Sequence, residues 1–329
     1  MVRAIALLSG GLDSTLAVKL MLEQKIDVIA LNFVTPFCTC TKSGCQNQAK
    51  KVAHKFGIDM HIVSLKEEYI DIIKNPKYGY GKNMNPCIDC RIFMFTKARE
   101  YMNEIGASFV FSGEVLRERP MSQRLEAMQV IEREAGLNRK LLRPLCAQFL
   151  EPTIPEIEGI VDRSQLLAIE GRSRRPQISL ARERGIDDYP CPAGGCRLTD
   201  PNFAKRFKEA LEHNEDSLDD ITLLRYGRHF RLASGSKVIV GRDAIENNKL
   251  NALSKEDDIV LEVTCYPGPI TLLRNSRVRR DIELAAALCV SFSDYKGKDP
   301  VAVKVADGEL LATGMPRDSF GHLNINKEV

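Results

Sequence analysis

Ser9-Gly10-Gly11-Leu12-Asp13-Ser14 constrains the fold of this chain more than any other stretch, because it lies between an apolar run, Ala4-Ile5-Ala6-Leu7-Leu8, and a helical pattern from Ser14 to Leu22. The order is strand, glycine turn, helix start. Adjacent glycines permit torsions and close approach that a Cβ would obstruct, so consecutive N–H groups can converge on one anion at the positive end of the helix. The turn therefore predicts a site for a phosphate chain. It lacks the Lys of GxxxxGK[ST], which argues against a cradle that cleaves at the γ-phosphate.

The full SGGxDS match at Ser9–Ser14 resembles the PP-loop ATP pyrophosphatase superfamily, whose members adenylate an acceptor oxygen and release pyrophosphate. That resemblance implies ATP held by Ser9, Gly10, Gly11, Asp13 and Ser14, with Asp13 as the Mg²⁺-linked carboxylate. Read from the residues alone, Asp13 is the N-cap of the helix beginning near Ser14, and both roles can coexist.

At 329 residues the chain suits two domains. It has no apolar run of membrane-spanning length, and its N-terminus enters a strand directly, so a cytosolic protein without a membrane partner is expected. A net charge of +3 is too small to name a nucleic-acid partner, so clustering must carry that argument. Ten Cys are many for a reducing compartment, which makes metal binding or sulfur chemistry their leading use.

The first half alternates strands and helices. After the first pair come Asp27–Phe33 as strand, Gln46–Phe56 as helix, Asp59–Val63 as strand, a helix from about Ile88 to Ile105, and a β-rich Ser108–Ser112. This order predicts a parallel sheet with ligands at the carboxyl ends of its strands. Pro152 to Gly185 reads as short helices, Asn202–Leu211 as a helix, and polar, acidic His213–Asp220 as a linker. Beyond it, strands at Lys237–Val240, Ile259–Thr264 and Pro269–Leu273 and a helix at Arg280–Phe292 predict a second, smaller α/β domain.

Cys87 and Cys90 form a CxxC after Pro86, at a helix entry where the helix N-terminus and Arg91 favour thiolate. Zinc, an iron–sulfur cluster, a redox disulfide and coincidence all fit such a pair. Cys196 follows the Gly194-Gly195 pair, with Cys191 nearby. Cys38, Cys40 and Cys45 group after the second strand, whereas Cys146, Cys265 and Cys289 stand alone in apolar settings and read as buried structural thiols.

Four blocks sharpen the resemblance: Gly81-Lys82-Asn83-Met84-Asn85-Pro86-Cys87-Ile88-Asp89-Cys90-Arg91, Ser112-Gly113-Glu114-Val115-Leu116, Arg119-Pro120-Met121-Ser122-Gln123, and Gly194–Pro201. Over roughly residues 1–215 they are similar to the tRNA 2-thiouridylase-like branch of the PP-loop proteins, often labelled a thiouridylate methyltransferase. The resemblance implies an ATP-dependent tRNA sulfurtransferase of parallel-sheet, adenine nucleotide alpha hydrolase-like fold, with Gly113 beside the nucleotide. It further implies that Cys87, Cys90 and Cys196 form either a catalytic persulfide pair or a three-thiolate [4Fe–4S] site fed by sulfide or a sulfur-donor protein. The best-known bacterial 2-thiouridylases carry Asp at the first of the paired positions, and the extra thiol here favours the cluster. Zinc, with Cys191 completing four thiolates, is the competitor.

Arg117, Arg119 and Arg124, then Arg172, Arg174 and Arg175, then Arg274, Arg277, Arg279 and Arg280, form three basic knots. Arg119, Arg172, Arg174 and Arg175 are the expected tRNA-phosphate contacts. Aromatic content of 6% without Trp disfavours a base-stacking platform. Val240–Leu250 with Asp257-Asp258-Ile259 and Tyr266-Pro267-Gly268-Pro269 resembles the NFACT-R (DUF814) domain, which implies RNA binding by residues 221–329. A domain that only stabilises the first, or mediates homo-oligomer formation, is the plainer reading of that region. Two other functions compete: a PP-loop adenylating ligase acting on a small molecule, like a deazaguanine nitrile synthase with structural zinc, and an RNA-binding protein with a vestigial ATP site.

Overall fold

A computed structural model describes residues 2–38, 45–189, 195–306 and 308–326, with the side chains of Cys45 and Gln46 left aside. Cys40 and Cys191 lie outside the described residues, as does the Cys45 side chain. The chain divides into two compact units, Met1–Thr199 and Asp200–Val329.

In the first unit β1 (Arg3–Leu7), α1 (Leu12–Glu23), β2 (Asp27–Val34), α2 (Cys45–Phe56), β3 (Asp59–Ser64), α3 (Glu67–Lys74), α4 (Cys87–Glu104), β4 (Phe109–Ser112), α5 (Leu125–Glu134), β5 (Leu141–Leu142), α6 (Ile154–Ile157) and α7 (Arg175–Glu183) follow one another. The sheet order is β3-β2-β1-β4-β5 and every pairing is parallel. Parallel strands need crossovers, and these place helices on both faces. Along β1 the side chains alternate accordingly: Ala4 and Ala6 join a core with Leu12, Leu16 and Ala49, whereas Ile5 and Leu7 join one with Phe95, Ala98 and Ile131. Both faces are covered, so the strand is apolar at every position except exposed Arg3.

The chain moves outward from β1 to β3 and then returns across β1 to build β4 and β5. The exits of β1 and β4 therefore diverge and leave a crevice at their carboxyl ends. α3, α5 and β5 were not expected from sequence. α3 and α5 carry charged outer faces and only a few buried residues each, namely Tyr69, Ile70 and Ile73, and Met128 and Ile131.

The second unit contains α8 (Pro201–Glu212), α9 (Leu218–Leu223), β6 (Arg228–Arg231), β7 (Lys237–Val240), α10 (Ala244–Leu253), β8 (Ile259–Val263), β9 (Thr271–Arg274), α11 (Arg279–Ser291), β10 (Val301–Val305), β11 (Gly308–Ala312) and α12 (Arg317–Phe320). Its sheet, ordered β11-β10-β8-β9-β7-β6, is antiparallel throughout. The smaller α/β domain expected from sequence is thus an antiparallel sheet with helices. Val238 and Val240 of β7 face a core with Ala285 and Leu288 of α11, while Ile239 faces Leu223 and Leu250 of α9 and α10.

The stretch expected as a linker contains an anchor instead. Glu215 is buried and pairs with Arg231 at 2.7 Å and with Lys237 at 2.5 Å, and Ser217 caps α9. Glu209 of α8 also reaches Arg231, at 2.5 Å, so the compact second unit begins at Asp200, upstream of the expected 221.

Candidate nucleotide and thiol site

The loop after β1 is held from below. Leu8 N–H donates to Leu31 O at 2.9 Å, and Asn32 Nδ2 donates to Leu8 O at 2.8 Å. Gly10 takes φ +79°, and a Cβ there would lie 2.6 Å from Ala49 N. Its constraint is therefore the approach of α2, not room for phosphate. Gly11 is the N-cap, and a Cβ on it would meet only Ser9 Oγ at 3.4 Å, which leaves open the space an anion needs over the first turn of α1. The Ser14 and Thr15 hydroxyls both donate to Gly11 O, at 3.0 and 2.9 Å, and fix that turn.

Asp13 lies in the first turn and is not the N-cap. Its Oδ2 accepts from Arg174 Nη2 at 3.3 Å, while Oδ1 is buried without a hydrogen-bond partner. Burial raises its pKa, and the charges of Arg174 and Arg119 oppose that rise without cancelling it. An orphaned carboxylate oxygen beside an open helix N-terminus fits a cation that travels with phosphates.

Gly113 closes the site from β4. A Cβ there would lie 2.4 to 2.5 Å from the backbone of Asp13 and Ser14, so only glycine allows the two loops to touch. Leu116 bridges to Glu170 and accepts from Gly171 N–H at 2.8 Å. This zipper delivers Glu118 and Arg174 to Asp13, and Glu118 is itself pushed up by burial and by the Asp13 charge.

Arg174 was expected on RNA and instead turns to Asp13, because α7 packs on α1; Arg172 and Arg175 remain exposed. Arg119 is exposed, yet its charge reaches both Asp13 and Cys87. Arg274 is buried and bound to Asp258 at 2.6 Å and Asp220 at 2.7 Å, which removes it from the third basic knot.

The thiols gather beside this loop. Pro86 caps α4, Cys87 and Cys90 occupy its first turn, and Met84 N–H donates to Leu198 O at 3.2 Å, which ties that turn to the Cys196 segment. Cys38 forms an isolated antiparallel bridge with Cys196. Tyr69 OH donates to Cys90 Sγ at 3.0 Å. Cys87, Cys90 and Cys38 are all close enough to Cys196 to add to the rise in its pKa.

The thiolates expected at this helix start are not favoured. Burial pushes Cys87 up, Cys90 to about 11 and Cys196 to about 12, outweighing Arg91 at Cys87 and Cys90. Arg91 is moreover shared with Glu114, Nε to Oε1 at 3.5 Å. Among the described residues no group of three or more His, Cys, Asp or Glu is arranged to hold a metal ion. Cys87, Cys90 and Cys196 therefore adjoin one another without forming a closed ligand set. Cys146 and Cys289 are buried as expected, whereas Cys265 is exposed, because it follows the end of β8.

Sequence reasoning did not single out Glu114 or Arg143 as a pair. They meet at 3.1 Å beneath the β4 exit, and Arg143 also binds Glu132 at 2.8 Å. The Ser-Gly-Glu block contained the signal, a carboxylate two residues beyond the end of an apolar strand. Among the described residues no helix is long and apolar enough to cross a membrane.

Residues 2–135 match the family described as tRNA methyl transferase HUP domain, and residues 227–313 the NFACT protein RNA binding domain. A tRNA-specific 2-thiouridylase of Petrotoga mobilis is 36% identical over 35% of this chain and 35% of its own length. One from Pseudomonas fluorescens is 29% identical over 64% of this chain and 62% of its own. The chain spans about a third of the length of the first curated relatives. A solved 4-thiouridine synthetase in complex with RNA and ATP is similar at 21% identity and a TM-score of 0.40, covering 68% of this chain and 52% of that one. By its sequence matches, this chain is similar to the tRNA methyl transferase HUP domain over residues 2–135 and to the NFACT protein RNA binding domain over residues 227–313.

Proposed function

We propose that the protein is an ATP-dependent tRNA sulfurtransferase that adenylates a uridine carbonyl oxygen and replaces it with sulfur. The observation that carries this reading is the join between phosphate loop and thiol helix: Gly113 abuts the Asp13 backbone, and the adjacent Glu114 pairs at 3.5 Å with Arg91 of α4, the residue after Cys90. A phosphate site and a thiol group so close suit two consecutive steps. The uridine oxygen attacks the α-phosphorus and pyrophosphate leaves; a sulfur nucleophile then attacks the activated carbon and AMP leaves. The first turn of α1 receives the phosphates, Asp13 Oδ1 would hold the accompanying Mg²⁺ through its water, and Arg174 and Arg119 balance the developing charge. The similarity to tRNA-specific 2-thiouridylases and the NFACT RNA-binding match support tRNA as the acceptor. Incubation with ATP, sulfide and unmodified tRNA yields AMP and pyrophosphate; ADP and phosphate as the sole products would overturn the reading.

In its finer form the reading gives Cys87, Cys90 and Cys196 a [4Fe–4S] cluster. The donors fit in kind, being thiols on segments tied by backbone hydrogen bonds, although their present spacing is not that of a ligand set. When bound, such a cluster supplies an open coordination position for external sulfide. Iron, sulfide and zinc are assayed after anaerobic preparation. Iron lost in Cys196→Ala supports the cluster; stoichiometric zinc without iron overturns it.

A further inference from the structure

We propose that Cys38 and Cys196 form a reversible cross-strand disulfide that takes Cys196 out of the thiol group beside the phosphate loop. Both are free, half-buried thiols. They face each other as an isolated antiparallel bridge pair. Arg197 N–H donates to Phe37 O at 2.8 Å, so the hydrogen bond flanks the pair and does not join it. In such non-hydrogen-bonded pairs the Cα atoms sit about 4.5 Å apart with side chains at their closest. Disulfides span Cα separations of roughly 4.4–6.8 Å. A pair of this class thus falls within the Cα separation that a disulfide spans.

Among the described thiols, Cys38 is the one that the backbone sets opposite Cys196 in a bridge pair. Cys90 Sγ already accepts from the buried Tyr69 hydroxyl, and Cys87 shares the first turn of α4 with it. The oxidant is a low-molecular-weight disulfide, RSSR. The Cys38 sulfur attacks one sulfur of RSSR, forming Cys38–S–SR and releasing RSH. The Cys196 sulfur then displaces the second RSH and closes Cys38–S–S–Cys196. Two protein thiols lose two electrons and two protons, and RSSR becomes two RSH. The inference rests on the proposed function only in the meaning given to Cys196, since the bond itself follows from the bridge geometry.

The test uses the full chain, reduced and metal-free, treated anaerobically with oxidised glutathione, alkylated, digested and analysed by mass spectrometry. The exposed Cys265 reports that the reagent is active. The expected result is a Cys38 peptide linked to a Cys196 peptide, at least tenfold less alkylation of Cys196, and reversal by dithiothreitol. In Cys38→Ser the link is absent and Cys196 takes up glutathione. Full alkylation of Cys196 in wild type while Cys265 is glutathionylated, or linkage of Cys196 to any other cysteine, overturns the proposal. A Cys38–Cys196 link that leaves tRNA thiolation intact supports the disulfide and instead removes the role assigned to Cys196 in sulfur transfer.

Discussion

Arg174 places Nη2 3.3 Å from Oδ2 of Asp13, leaving Oδ1 of the same carboxylate and Nε of the same guanidinium buried without hydrogen-bond partners. A pair that satisfied itself would be a structural ion pair. One half-satisfied on both sides is arranged for a third party bearing both charge and oxygen, as a metal-bound phosphate does.

Because the folded-state pKa of Asp13 is raised, the free protein binds its proton more tightly than the unfolded chain does. Stability from this group is present at low pH and is lost as pH rises through the folded value. Asp13→Asn is therefore expected to raise Tm at pH 7 and flatten that slope, while turnover of ATP to AMP falls about 100-fold or more. Melting curves across pH, with nucleotide product analysis, check both; a lowered Tm with retained turnover would contradict the role.

Gly11 and Gly113 are expected to fail differently. Gly11→Ala meets only Ser9 Oγ and keeps its melting point while losing ATP affinity. Gly113→Ala drives a Cβ into the Asp13 backbone and costs about 1–3 kcal/mol of stability. Denaturant titration and equilibrium ATP binding separate the two outcomes.

Glu114 and Arg143 are each almost wholly buried. Removing Arg143 leaves buried Glu114 only its longer contact to Arg91, so Arg143→Met is expected to cost about 3–5 kcal/mol, and Arg143→Met with Glu114→Gln less than the sum of the single changes. A double-mutant cycle by chemical denaturation measures the difference.

Neutralising Arg119, Arg172 and Arg175 is expected to weaken tRNA binding and flatten its salt dependence, since an interface with fewer cations on phosphate releases fewer counterions. Arg274→Gln is expected instead to unfold the second unit, whose Asp258 and Asp220 it holds. Affinity measured across a salt series, beside a thermal melt, distinguishes interface from scaffold.

His229 is fully buried, with Nε2 2.7 Å from Tyr226 O and Nδ1 without a partner, and desolvation holds its pKa well below the usual value. Below about pH 6.5 the unfolded chain takes a proton that the folded one refuses, so stability is present above that pH and lost as pH falls. His229→Gln is expected to reduce the loss of stability of the second unit between pH 7.5 and 5.5, with a wild-type slope of up to about 1.4 kcal/mol per pH unit. Equilibrium unfolding at several pH values tests this.

Local order was legible in the sequence wherever a short stretch carried its own reason. The apolar run, glycine turn and helix start of residues 4–22 predicted β1, the loop and α1, and the alternation to Ser112 predicted a parallel sheet. The CxxC after Pro86 predicted the start of α4. Amphipathic periodicity and turn chemistry act within a few residues, which is why these elements could be read directly. Tertiary structure decided what depends on burial and on partners distant in the chain. It turned Arg174 from RNA to Asp13 and Arg274 from a surface knot to two carboxylates. It made Gly10 a neighbour of α2 and Gly113 a neighbour of Asp13, and set Cys38 opposite Cys196. It also made the thiols harder to ionise, because desolvation in the folded state outweighed the nearby Arg91 at Cys87 and Cys90. Charge and reactivity depend on the three-dimensional surroundings of a group, and those surroundings exist only once β1, β4, α4 and the 195–199 segment have come together.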